Sequence, residues 1–120
     1  MTIPNPLVIT YNAVAKNLPR INQDGYGSEY FLEETTQSFR VKIRHSKMRL
    51  QADGSLPDNH NVELTHTVFG TSPNPDSVRK VYVVIQNDKT APATELGYAA
   101  SALSGLLTAG FVSDLRGWQN

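Results

Sequence analysis

Three cations stand at alternate positions in Phe39-Arg40-Val41-Lys42-Ile43-Arg44, with an apolar residue before each. Successive side chains of a β-strand point to opposite faces. A strand over 38–46 therefore turns Phe39, Val41 and Ile43 to one side and Arg40, Lys42 and Arg44 to the other. With Lys47 and Arg49, residues 38–50 hold five of the chain's 11 Lys and Arg and no Asp or Glu. The chemistry on offer is polyanion binding, and nucleic acid is the simplest such partner. A second strand, Val78–Gln86, places Lys80, Tyr82, Val84 and Gln86 on one face. Arg and Lys supply phosphate contacts, Gln reads base edges, and Tyr stacks on an unpaired base. The competing explanation is that the cations only keep a sheet face soluble, which predicts mixed signs and many Thr, Ser or Glu residues.

The bulk charge constrains this reading. Eleven basic and 11 acidic residues give a formal net charge of zero. A protein that coats nucleic acid by bulk charge would be basic, so the charges here must be segregated. Asp24, Glu29, Glu33 and Glu34 precede the basic strand, and Asp53 and Asp58 follow it.

Other chemistry is thin. There is no cysteine, which excludes disulfides, thiol catalysis and Cys-based zinc sites. No Gly-x-Ser-x-Gly or phosphate-binding glycine loop occurs, and the carboxylates are scattered. Glu33-Glu34 reads as a solvated turn. His60 and His66 share a strand face, but Glu63 lies on the other, so the three cannot hold a metal together. His45 falls on the apolar side of its strand as a packed or edge histidine. Neither an enzyme, a metal nor a cofactor is expected.

The elements that must position these residues follow from pattern. At 120 residues the chain is one domain by length, and its 39% hydrophobic and 18% charged content suits a globular protein. The N-terminus lacks the features of a signal peptide, and no apolar run approaches the ~20 residues of a membrane span. Synthesis and use in a cytoplasm, with no membrane partner, are expected. Leu7–Asn12 and Val14–Ile21 suggest an N-terminal hairpin around Asn12-Ala13. Asp24-Gly25 and Gly27 mark a turn before a strand over Tyr26–Glu33. Asp53-Gly54-Ser55 and Pro57-Asp58-Asn59 read as a polar connection. It leads to a strand over Asn61–Phe69, where Asn61, Glu63, Thr65 and Thr67 alternate with Val62, Leu64, His66 and Val68. Gly70–Asp76 is a loop, and Val78–Gln86 is the strongest strand, β-branched through its centre.

Helix signals then take over. Thr90 or Ala91 can cap a helix with Pro92 in its first turn and Glu95 at its positive end. Leu96, Ala99, Ala100, Leu103, Leu106 and Leu107 fall on one face. Gly110 ends this helix, and Phe111–Gly117 begins a short second one. The expected fold class is α+β: a hairpin and an antiparallel meander over 1–88, then two helices over 89–120. So little helix cannot cover one face of so many strands, which points to a symmetric partner chain completing that face.

In this layout the chain resembles the coat proteins of the small single-stranded RNA bacteriophages, the levivirus group. The resemblance rests on the hairpin at 7–21, the basic strand 39–44, the strand Val62–Phe69, Val78-Arg79-Lys80-Val81-Tyr82-Val83-Val84-Ile85-Gln86, and the helical tail Glu95–Ala109 plus Phe111–Gly117. It implies an intertwined homodimer whose two sheets join, with each chain's helices laid across its partner. It implies dimers assembled into an icosahedral shell, a virion protein put together in the bacterial host cytoplasm. The sheet would line the interior and bind single-stranded genomic RNA, in some members through a hairpin that is also a translational operator.

Carried over by position, the RNA-facing residues would be Arg40, Lys42 and Arg44, then Asn61, Glu63, Thr65 and Thr67, then Lys80, Tyr82, Val84 and Gln86. Tyr82 falls where some members stack a loop base. Val84 and Gln86 depart from the polar positions used elsewhere in the family, and Glu63 brings negative charge toward RNA, so general packaging is better supported than operator specificity. The loop Gly70–Asp76, stiffened by Pro73 and Pro75, would line the shell's symmetry axes, and Gly25–Gly27 would touch neighbouring dimers. The alternatives are a cellular single-stranded nucleic-acid-binding module without a shell, and a small dimeric α+β ligand-binding protein or enzyme.

Overall fold

The computed structural model describes residues 3–88 and 91–119. They form seven strands and two helices: β1 (Leu7–Tyr11), β2 (Val14–Leu18), β3 (Arg20–Asp24), β4 (Gly27–Glu33), β5 (Gln37–Lys47), β6 (Pro57–Val68), β7 (Ser77–Asp88), α1 (Ala93–Leu106) and α2 (Ala109–Arg116). The chain separates into two compact units, Met1–Asp88 and Lys89–Asn120. The expected α+β order of hairpin, antiparallel meander and two helices is what forms.

The first unit holds two sheets. β1 and β2 make an antiparallel hairpin, and β3 to β7 make a five-stranded antiparallel sheet in sequence order. The hairpin turn puts both Asn12 (φ 51°) and Ala13 (φ 64°) in the left-handed region. Two such residues are what a two-residue turn needs to match the twist of its flanking strands. Asn tolerates that conformation; Ala13 enters it with a Cβ, at a local cost.

The hairpin is the lid of the core. Leu18 is fully buried with Tyr30 and Phe39, and Val41 and Ile43 complete the cluster; Leu7, Ile9 and Tyr11 pack against it. Tyr11 meets the Phe39 ring edge-on at 5.1 Å. Arg20 pins the joint between hairpin and sheet: its guanidinium donates to the Tyr30 hydroxyl at 3.1 Å, to Gln23 Oε1 at 2.8 Å and to the Ile3 carbonyl at 3.2 Å. Lys16 Nζ pairs with Glu34 at 3.0 Å. Glu34 is thus half of an ion pair and not a merely solvated turn residue. That bond, with a second from the Gln37 amide, holds its carboxyl below the usual range.

Several boundaries differ from the sequence expectation. The apolar run at 14–21 is two strands in two sheets, because Pro19 interrupts it and the register shifts between Arg20 and Asn22. Pro57-Asp58-Asn59 opens β6, since a proline is accepted at a strand's first residue. The β6–β7 loop closes through Gly70, whose N–H donates to Asp76 Oδ1 at 2.8 Å. A Cβ at Gly70 would strike the backbone of Asn74 and Pro75, so only glycine fits.

In the second unit Pro92 is the N-cap of α1 and offers no side-chain bond. Ala91 does not cap it, and Thr90 lies outside the described residues. Gly110 does not end α1. That helix stops at Leu106, and Thr108 caps α2 by accepting from the Phe111 N–H at 3.3 Å. The Thr hydroxyl at the cap outweighs the glycine two residues on. Neither helix contains a buried residue, and among the described residues no single helix is long and apolar enough to cross a membrane.

Candidate nucleic-acid interface

The register decides which side chains meet. In β5, β6 and β7, Arg40 opposes Thr65 and Thr65 opposes Lys80; Lys42 opposes Glu63 and Glu63 opposes Tyr82; Arg44 opposes Asn61 and Asn61 opposes Val84. Residues in register share a face, so these form three rungs across one surface. Thr67 lies in the rung above with Ser38 and Val78, and Gln86 in the rung below with Asn59 and Ser46. Thus Arg40, Lys42, Arg44, Asn61, Glu63, Thr65, Thr67, Lys80, Tyr82, Val84 and Gln86 all line one face of the sheet. Two-residue periodicity in three separate segments is enough to place them there, because the three strands pair without an internal bulge.

The face extends onto β4, which sequence reasoning left out. Glu29 opposes Lys42 and Phe31 opposes Arg40. The Arg40 guanidinium lies over the Phe31 ring, 4.6 Å from its centroid, and forms an ion pair with Glu29. On the far side Lys80 Nζ pairs with Glu63 at 2.9 Å. That bond, reinforced by the nearby charges of Lys42 and Arg44, holds the Glu63 carboxyl below the usual range. The acids are therefore not segregated from the cations as expected from the linear order. Antiparallel pairing carries Glu29 back beside the basic strand, and Glu63 stands across from Lys42. Arg40, Lys42, Arg44 and Lys80 share the face with Glu29 and Glu63, with Glu33 in the rung of Ser38 and Thr67, with Asp24 at the β3 edge in the rung of Arg44, and with Asp88 at the end of β7. The cations form a local stripe and not a net positive surface, and two of them are already engaged.

Two further features mark this face. Tyr82 is 62% exposed, its ring available to a stacking partner. The Oδ1 atoms of Asn59 and Asn61 are buried and accept no hydrogen bond within the protein. A buried acceptor without a donor is costly and is usually satisfied by a ligand or water. Asn59 gave no signal in the sequence because it sits in a Pro-Asp-Asn run that resembles a turn.

The histidines behave differently from one another. His66 is buried on the opposite face, stacked on Phe39 at 4.7 Å and near-parallel at 13°, with Nε2 against Gln37 Oε1 at 2.9 Å. Burial, and secondarily the charge of Arg79, pushes its pKa down. His45 and His60 oppose each other on that same face. Among the described residues no three His, Asp or Glu side chains converge as a metal cluster.

The sheet thus carries a stripe of cations on one face and is half covered by its own hairpin on the other. Residues 4–88 match the model of the phage phiCb5 coat-protein family, and the chain belongs to that family. No curated protein matches the sequence significantly. Among solved structures, the coat protein of bacteriophage EMS014 is similar in fold, with a TM-score of 0.62 at 18% identity over 81% of this chain and 70% of that one. The protein is a structural component of a phage capsid, located in the virion, and not an enzyme.

Proposed function

We propose that this coat protein belongs to the levivirus-like single-stranded RNA phages, forms homodimers, and builds from them an icosahedral shell around its RNA. The β5–β6–β7 face is turned inward and holds the phosphate backbone. The observation that carries the RNA reading is the set of rungs Arg40–Thr65–Lys80, Lys42–Glu63–Tyr82 and Arg44–Asn61–Val84, which brings the three β5 cations, Lys80 and the exposed ring of Tyr82 onto one surface. Because Arg40 and Lys80 must trade Glu29 and Glu63 for phosphate, the surface favours general packaging over recognition of one hairpin.

The dimer reading draws on the other face. Val62 and Val81 stand exposed beside a fully formed core, and β7 is a twelve-residue edge strand. A long edge with free N–H and C=O groups is a template for another strand. Leu103 and Leu106 of α1 are about half exposed, as apolar helix residues are when a second chain completes their cover.

The test is negative-stain microscopy of the purified protein, with the 260/280 nm absorbance ratio of the same fraction, on the parent and on a variant with Arg40, Lys42 and Arg44 all replaced by Ser. The parent gives uniform closed particles containing nucleic acid. The variant keeps its dimer but loses RNA, and its residual RNA affinity depends less steeply on salt because fewer counterions are released. Undiminished RNA in the variant removes the role of this face, and nucleic-acid-free dimers from the parent remove the shell.

A further inference from the structure

His45 and His60 face each other across the β5–β6 pair, in direct register. Their Nδ1 atoms are 2.9 Å apart, with ring centroids 5.1 Å apart and planes at 73°. His45 is exposed and His60 half-buried. The backbone beneath them is fixed on both sides. His45 N–H donates to the Tyr26 carbonyl at 2.7 Å, and Ile43 opposes Val62 one rung in. One rung out, Lys47 opposes Asp58, so the nearest charges on this face are of opposite sign.

We propose that His45 and His60 form a two-ligand site for a divalent transition-metal ion of the copper or nickel type. Imidazole nitrogens bind such ions at about 2.0–2.1 Å. Two nitrogens 2.9 Å apart then subtend an angle of about 90° at the metal. That angle belongs to adjacent positions of a square-planar or tetragonal site, the preference of Cu²⁺ and Ni²⁺. A tetrahedral zinc site would need a separation of about 3.3 Å. The two Nδ1 atoms lie within hydrogen-bond distance, and only one of them can carry a proton in the neutral pair. Displacing that proton, with a small turn of the rings, frees both lone pairs for the ion. Since among the described residues no third His, Asp or Glu joins the cluster, the remaining positions are open to water or to an external ligand. The site lies on the face opposite Arg40, Lys42 and Arg44, apart from the RNA surface.

The test is calorimetric titration of the full-length protein with NiCl₂, on the parent and on His45→Gln, His60→Gln and the double variant. The proposal expects one ion per chain, with binding weakened about tenfold or more by either single change, because the second imidazole acts at high effective concentration. Equal binding in parent and double variant overturns it, as does a parent that takes up no nickel. A second readout uses the unmutated protein with one equivalent of CuCl₂. Pulsed electron-spin spectra show modulation from two imidazoles when the pair is the ligand. Spectra without imidazole coupling place copper elsewhere and overturn the assignment.

Discussion

The apolar face of the five-stranded sheet has two halves made of the same kinds of residue and treated in opposite ways. One rung shows it: Tyr30 opposes Val41, Val41 opposes Leu64, and Leu64 opposes Val81. Along that line exposure runs from 0% at Tyr30 and 3% at Val41 to 58% at Val81. The half on β4 and β5 lies under the β1–β2 hairpin, and the half on β6 and β7 does not. Burial is thus set by what covers a residue and not by its type or its alternation. A β-branched stripe that this chain leaves open is a stripe another surface can take.

The largest effect should fall under the hairpin. Phe39→Ala removes a fully buried ring that touches Tyr11 and His66 and should cost about 3–5 kcal/mol, read as a lowered denaturant midpoint. A cost below about 1 kcal/mol would mean that the hairpin does not close the core. The next effect belongs to the open half. Val81→Asp should leave the circular dichroism of the sheet unchanged, since Val81 has little cover within its own chain, yet shift sedimentation toward smaller species. Particles at parent yield would show that the open half stays open. The smallest effect sits at the border, in His66. Its folded-state pKa lies below the ordinary 6.5, so protonation favours the unfolded chain. Stability should be complete above pH 6.5 and decline as pH falls from there toward the lower folded-state value. His66→Phe should flatten that part of the profile in pH-dependent thermal melts. An unchanged slope would assign it to other groups.

The face that carries Arg40, Lys42, Arg44 and Lys80 was legible in the sequence because its only requirement was strict period-two alternation in three strands, and β5, β6 and β7 pair without a bulge. What escaped was whatever depended on pairing or on a backbone irregularity. Glu29 lies eleven positions before Arg40 in sequence and reaches it only through the β4–β5 turn. Strand β3 reads Arg-Ile-Asn-Gln-Asp, with hardly an apolar residue, and follows a proline, so nothing in its own composition announced a strand. Its place comes from β4 beside it. Gly110 suggested a helix end, but the hydroxyl of Thr108 set the break first. The His45–His60 pair needed the β5–β6 register, which no single strand pattern contains.

The order of strands in the large sheet equals their order in the chain, with no crossover. Each new strand emerging from the ribosome finds its partner immediately before it, so loop closures are short and the sheet grows by nearest-neighbour zipping. Topologies of low contact order fold fast for their size. A subunit made in many copies and carrying apolar surface gains from that speed, because each copy spends little time with incomplete strands. The last strand laid down, β7, is also the long edge that the finished sheet leaves open. Growth by addition of one more antiparallel strand can therefore continue where the chain's own strands end.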